Sequence, residues 1–458
     1  MKKSALFSFI IFHLSFSPAG AQPRQWSLRE CCEYAVAHNI TIKQQENACR
    51  KQELQLSTAR NQRLPDLSGS VSQNFSFGRG LTAENTYSNT NTSSTSFSLG
   101  TSVPLFTGFQ IPNNIKLNQL SLEATTADLE KAKNDIQMQV AQAYVQILYD
   151  MEIGDVARRQ VAIDSMQVVR LQALVDNGKA SGAELSQQQA TLANSRLTAT
   201  QADNTLNLAV LTLTQLLELP TPNGFTVIRP ATVPTGSPSD SAAPATTPDG
   251  SPSGPVLPSP DAIYADALGI KPEIAAQQLR LKGTDYSIAI AKAGYLPTLS
   301  LSGGLGSNYY TTSGFPSDAF GTQMKNNFSQ YIGLNLSVPI FNRFSTRNSI
   351  RSARIDKENQ QLALDNTKKS LYKEIQQVYY NALNAQQKER SSQEAVKSSK
   401  DAFDLMQAKY ENGKATITEF NEAKNTYLRA ESDLVQARYE LIYQQTLIQF
   451  YRGQPLDF

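Results

Sequence analysis

DNGKAS at residues 176–181 and ENGKAT at residues 411–416 are nearly the same hexapeptide, 235 positions apart. Asn-Gly is a strong helix stop, because glycine takes the left-handed backbone that ends a helix at no steric cost. Each copy follows a long stretch fit for helix. After Pro112 the run to Asn177 holds no proline and one glycine, Gly154, and residues 345–410 hold neither. About 65 residues at a rise of about 1.5 Å each make a helix of ~100 Å. The segments after the hexapeptides, 182–218 and 416–450, are again helical in pattern. Each hexapeptide therefore reads as a tight turn between two antiparallel helices, at the end of the molecule far from the strands described next. Lys179 and Lys414 suit the negative end of the preceding helix dipole.

The offset of 235 continues upstream. VPLF at 103–106 recurs as VPIF at 338–341. Ile136, Val140, Ala143 and Ile147 recur as the apolar set Leu371, Ile375, Val378 and Ala382. LPDLSGSVS at 64–72 resembles LPTLSLSGG at 296–304, now offset by 232, so the three-residue change falls between the LP and VP motifs, where a loop tolerates it. Independent features that share an offset identify a duplication. The halves are read as 22–219 and 261–458, each with a helix, a strand pair, a long helix, the NGK turn and a helix. The first helices are placed at 27–63 and 261–294.

Period-2 patterning places the strands at 66–78 and 93–105, and again at 298–308 and 328–341. Val71, Phe75 and Phe77 alternate with Ser70, Ser72 and Ser76; Ile332, Leu334 and Leu336 alternate with Gly333, Asn335 and Ser337. Polar loops are expected at 79–94 and 308–327. Strands of about ten residues cross a bilayer when tilted. One apolar face and one small, polar face suit lipid outside and water inside. A soluble sandwich edge for the strands, or a spectrin-like rod for the six helical segments, is the competing architecture.

Residues 1–21 read as a secretory signal peptide: Lys2 and Lys3, an apolar run from Ala5 to Phe16, and Ala19-Gly20-Ala21 before Gln22. Without those two lysines Lys+Arg falls from 42 to 40, against 40 Asp+Glu, a neutral balance that does not favour nucleic acid. One histidine, His38, remains, with no Cys-x-x-Cys pair, so no zinc site, other metal site or cofactor is expected. No catalytic motif is present, and the chain is read as no enzyme. Cys31, Cys32 and Cys49 read as packing residues; with 27–63 as one helix, Cys31 and Cys49 lie about 27 Å apart, beyond bridging distance. Eleven of the 21 prolines fall in 220–260, an extended connector between the halves.

Four strands make an open sheet, and open edges are not tolerated in hydrocarbon. Strands from other chains must close it. Taken with the opening WSLRECCEYAVAHNITIKQQE at 26–46, both LP…VPxF strand pairs, AGYLPTLSLSGG at 293–304 and the two NGK turns, the sequence resembles the TolC family of outer-membrane efflux proteins over nearly the whole mature chain. The resemblance implies a mostly α protein with a transmembrane β-barrel: a homotrimer whose twelve strands, four per chain, continue into a long antiparallel α-helical coiled-coil barrel. It implies a Gram-negative outer membrane, with the helices in the periplasm. It also implies outer-membrane lipid, a periplasmic adaptor protein and an inner-membrane pump as partners, in tripartite efflux or type I secretion.

The resemblance also assigns a periplasmic gate. Glu419 and Glu422 match acidic rings, Tyr410 matches a tyrosine that holds the gate shut, and Glu184 matches its acidic partner. Ala415 stands where a lock-forming arginine can occur, leaving Lys414 and Lys179 as nearby cations to replace it. Three symmetry-related carboxylates on a narrow axis attract cations and resist anions. The same glutamates also suit the first turns of helices. Asn177, Gly178, Lys179, Asn412, Gly413 and Lys414 form exposed tips for adaptor docking, beside their backbone role. A trimeric structural or adhesive envelope protein without transport, or a periplasmic adaptor, is the alternative function.

Overall fold

The computed structural model describes residues 25–81, 85–229 and 257–456. The signal peptide at 1–21 and most of the proline-rich connector lie outside the described residues. The chain divides into two compact units. One comprises residues up to 42, 133–267 and 374–458; the other comprises 43–132 and 268–373.

The second unit holds a four-stranded antiparallel sheet, β2 (Asp66–Leu81), β3 (Tyr87–Thr107), β5 (Thr298–Thr312) and β6 (Ser329–Ser337), in the order β2-β3-β5-β6. The register decides what each face is made of. Leu67 pairs with Thr101, Val71 with Phe97, Leu99 with Leu305, Leu301 with Leu334 and Leu299 with Leu336. Ser70 pairs with Ser98, Gly100 with Gly304 and Ser302 with Gly333. Since side chains alternate between faces, one face is apolar and the other small and polar. Leu67, Phe77 and Ile332 on the apolar face are 73%, 76% and 86% exposed. Such a continuous exposed apolar surface marks an interaction surface. Toward the β2–β3 turn this face becomes mixed, and there the Gln73 amide is bonded to Thr95 and Ser93.

Several strand boundaries and one loop differ from the sequence reading. β2 and β3 run on through the expected loop 79–94, and β5 extends to Thr312. β6 stops at Ser337 instead of 341, because β5 begins opposite it at Thr298 and offers no partner beyond; Pro339 also lacks a donor. The expected polar loop 308–327 contains a short helix, α7 (Phe320–Asn326).

The strand-to-helix corners repeat in detail. Gly108 and Phe109 take φ of 61° and 66°, and Arg343 and Phe344, 235 positions later, take 55° and 61°. Phe106 packs edge-on against Phe109 at 5.3 Å, and Phe341 against Phe344 at 5.5 Å. A Cβ on Gly108 would lie 2.8 Å from the Leu296 Cβ and 2.9 Å from the Ala293 carbonyl, so that corner requires glycine.

The corners lead into α3 (Gln110–Asp176) and α8 (Ser345–Glu411), 67 residues each, which continue into the first unit. The NGK turns then lead into α4 (Gly182–Leu216) and α9 (Ile417–Tyr451). The expected helix 27–63 is two, α1 (Leu28–His38) and α2 (Ile40–Asn61), and 261–294 is also two, α5 (Pro260–Ile270) and α6 (Pro272–Ala293). Asn39 and Lys271, 232 positions apart, break them with extended backbone. Pro272 explains the second break by restricting the residue before it. At the first, Asn39 Nδ2 donates to the Leu216 carbonyl and Oδ1 accepts from Thr41 N, which fastens the kink.

Two further strands lay outside the sequence reading. β1 (Gln25–Trp26) pairs in parallel with β4 (Thr226–Val227), inside the expected connector 220–260. The Tyr144 hydroxyl lies 3.1 Å and 2.9 Å from the carbonyls of Trp26 and Ile228, and Trp26 packs against Tyr34 and Phe225. Cys31, Cys32 and Cys49 form no disulfide among the described residues, and the first two are buried; burial pushes Cys31 up to about 12, so it stays a protonated packing group. His38 is exposed and stacks on Tyr34 at 4.0 Å.

Candidate functional site

The two hexapeptides fold identically. Gly178 and Gly413 sit in the left-handed region at φ 66° and 68°. Behind each glycine the chain closes the same pair of bonds: Gly178 N to Val175 O and Lys179 N to Leu174 O, then Gly413 N to Tyr410 O and Lys414 N to Lys409 O. This is the Schellman ending, which satisfies the last carbonyls of the helix. Asn177 and Asn412 use Nδ2 to donate to Ala173 O and Ala408 O. Two residues past each lysine, Ser181 and Thr416 cap the next helix, and Glu184 and Glu419 complete capping boxes. The hexapeptide is thus a helix stop and a helix start joined by one residue.

Both predicted acidic residues at N3 are therefore partners in a cap. Glu419 Oε2 accepts from Thr416 N at 2.7 Å and Thr416 Oγ1 at 2.8 Å, and these bonds hold its carboxyl below the usual glutamate range. Glu184 makes the matching, longer bond to Ser181 N at 3.5 Å. Glu422 is exposed, close to one turn further along α9.

Tyr410 is half-buried, part of an apolar cluster built on Leu171, Leu185, Phe403, Ile417 and Phe420. Its ring stacks on Phe420 at 5.1 Å, and the Arg170 guanidinium lies over it at 5.0 Å. Arg170 Nη2 also donates to the Glu411 carbonyl at 3.0 Å, pinning α3 to the end of α8. Burial pushes the Tyr410 hydroxyl up, Arg170 opposes the rise, and Glu184 adds to it. The structure thus brings Tyr410 and Glu184 into electrostatic range. Arg170, which the sequence reading did not single out, is the cation over the Tyr410 ring.

Below the cluster lies a sealed polar network that sequence reasoning missed. Lys424 on α9 and Asp164 on α3 form an ion pair with both side chains fully buried. Asp164 also accepts from Ser195 Oγ and from Gln188 Nε2, and Asn421 Nδ2 donates to Gln188 Oε1. The network ties α3 and α4 of the first repeat to α9 of the second. Among the described residues no His/Cys/Asp/Glu group is arranged to hold a metal.

A sequence profile described as outer membrane efflux protein matches residues 32–218 and 263–453, with one match to each half of the duplication. The chain belongs to the outer membrane efflux protein family. A curated relative, outer membrane efflux protein BepC of Brucella suis, is 22% identical over 413 residues, 89% of this chain and 81% of the relative. Among solved structures, a membrane protein from Pseudomonas aeruginosa superposes with a TM-score of 0.73 at 18% identity, covering 93% of this chain and 92% of that one. VceC, an outer membrane protein of Vibrio cholerae, superposes with 0.71 at 16% identity, covering 94% and 96%. As a member of this family the efflux protein is an outer-membrane transport channel. Its relatives are channel proteins rather than enzymes. No helix among its described residues is long and apolar enough to cross a membrane.

Proposed function

We propose that three copies of this chain join the free edges of β2 and β6 to close a twelve-stranded barrel in the outer membrane of a Gram-negative bacterium, while the helices wall a periplasmic tunnel. The observation that carries the reading is the register: the paired leucine, valine and phenylalanine side chains of the β2–β3–β5 ladders lie on one face, and serine, glycine and threonine dominate the other, where Tyr310 is the large side chain. A closed sheet puts that apolar face in lipid and leaves no strand edge unpaired. The channel is a passive exit. An inner-membrane pump and a periplasmic adaptor supply the energy and the cargo, and the Asn177–Lys179 and Asn412–Lys414 tips meet the adaptor.

In this assembly the exposed carboxylates of Glu419 and Glu422 gather near the threefold axis and form a cation-attracting constriction. Tyr410, Arg170 and Glu184 hold the paired turns closed. Single-channel recording in a planar bilayer tests both claims. The parent should give small, cation-selective conductances that a trivalent cation blocks. Glu419→Gln/Glu422→Gln should be less selective and less blocked. Unchanged selectivity and block in the variant would reduce the two glutamates to helix caps while leaving the duct. A folded trimer that never conducts and does not insert would remove the duct itself.

A further inference from the structure

The second hairpin is built unlike the first. β5 continues to Thr312, yet its ladder with β6 ends at Gly306 opposite Ser329. Beyond that point one edge of β5 has no strand beside it. Helix α7 takes the place of one. Gln323 Oε1 accepts from Tyr310 N and Gln323 Nε2 donates to Tyr310 O, both at 2.9 Å, and Asn327 Nδ2 donates to Asn308 O at 2.7 Å. These are alternate residues, the same ones a neighbouring strand would bond. Ser307 Oγ adds a bond to the Met324 carbonyl at 2.8 Å.

Moored there, α7 reaches over the apolar face of the sheet. Phe320 packs edge-on against Tyr309 at 5.2 Å and Phe97 at 6.3 Å. Beside it opens a pocket of about 360 Å³ between helix and sheet, whose large side chains are Val71, Phe97, Leu99, Leu305, Met324 and Phe328. The pocket lies across β2, β3 and β5, continuous with the apolar face and inside the strand order, away from the β6 edge. Phe320 and Phe328 are 51% and 57% exposed, and Lys325 is exposed beside them. A tyrosine and a lysine are side chains that settle where hydrocarbon meets headgroups, and phenylalanine supplies the apolar side of an interfacial helix; Tyr309, Lys325 and Phe320 stand together here.

We propose that α7 lies at the hydrocarbon–headgroup boundary and that its apolar pocket seats a lipid acyl chain against the barrel wall. The proposal rests on the reading of the apolar face as membrane-embedded. It is tested with the full-length protein in vesicles of phosphatidylcholine, plain or brominated on the acyl chain near the headgroup. Phe320→Trp, Phe328→Trp and Phe75→Trp each add one tryptophan to the single native one, Trp26, whose emission in the parent gives the baseline. The added emission of Phe320→Trp and Phe328→Trp should be largely lost in brominated vesicles and should resist aqueous iodide. Phe75→Trp, on the same face but outside the pocket, reports the barrel. If Phe75→Trp is quenched by bromine while the α7 variants respond only to iodide, the lipid seat is wrong and the barrel stands. Shielding of the α7 variants from both quenchers means a protein segment covers the pocket, which also overturns the proposal. If none of the three responds to bromine, the membrane reading of the face fails with it.

Discussion

The two helix turns share a backbone and differ in what surrounds it. Shifted by 235, Gly413 falls on Gly178, Thr416 on Ser181 and Glu419 on Glu184, and the same hydrogen bonds recur. Tyr410 instead falls on Val175, Arg170 on Leu405, Lys424 on Gln189, Asp164 on Ser399 and Glu422 on Gln187. Where the turn needs a left-handed residue and a cap, the halves agree. Where one hairpin must lock to the other, they diverge, because each partner of a contact between unlike copies occurs in only one copy. The chemistry of this unit is concentrated where the duplication is broken.

The largest test of that contrast is the buried pair. Lys424→Met leaves Asp164 charged and sealed without its cation, which should cost about 3–5 kcal/mol. The same change at the matching exposed position, Gln189→Met, should move the unfolding transition little. Equal effects in thermal melts of the two variants would mean that the asymmetry carries no energy. Next come the glycines. Gly178→Ala and Gly413→Ala force a side chain into the left-handed region, at about 1–2 kcal/mol each, and Asn at either site should recover most of it. Unequal losses would show that packing, not backbone geometry, sets the turn.

The caps come third. Ser181→Ala and Thr416→Ala should each cost about 1 kcal/mol, read from chemical denaturation. The smallest effect is on pH. The Glu419 carboxyl is held below its ordinary value of 4.5 by the Thr416 bonds, so its contribution is present above that value and lost as pH falls through the lowered one. Glu419→Gln keeps an acceptor for the cap but cannot titrate, so its stability should depend less on pH below 4.5. A parallel acid response in parent and variant would remove Glu419 from the acid-sensitive set.

The duplication, the long helices and the turns were legible because each rests on local rules: an offset, a run without breakers, an Asn-Gly. The sheet faces were legible from period 2. What escaped was non-local. Asn39 breaks a helix with no proline to announce it, its kink held by the distant Leu216 carbonyl. β1 and β4 are two residues long and 201 positions apart in pairing, Gln25 with Thr226 and Trp26 with Val227. Helix α7 hides in a polar, glycine-containing stretch because seven residues are too few to show a period, and its mooring by Gln323 to β5 is a side-chain contact no pattern announces. Arg170 and the Asp164–Lys424 pair lie 241 and 260 positions from their partners. Position-by-position comparison of the halves would have marked these residues as charges with no counterpart.

One consequence follows from the unequal hairpins. The β2–β3 ladder climbs to Leu81 opposite Tyr87, whereas the β5–β6 ladder ends at Gly306 opposite Ser329. The proposed barrel of three such sheets would have no level rim. It would have a parapet, with tall corners from the first hairpin and low notches from the second, each notch floored by a short helix. In the proposed assembly, anything that lands on the cell surface there would meet a threefold crenellation, not a sixfold ring, even though every chain is a duplicate of itself.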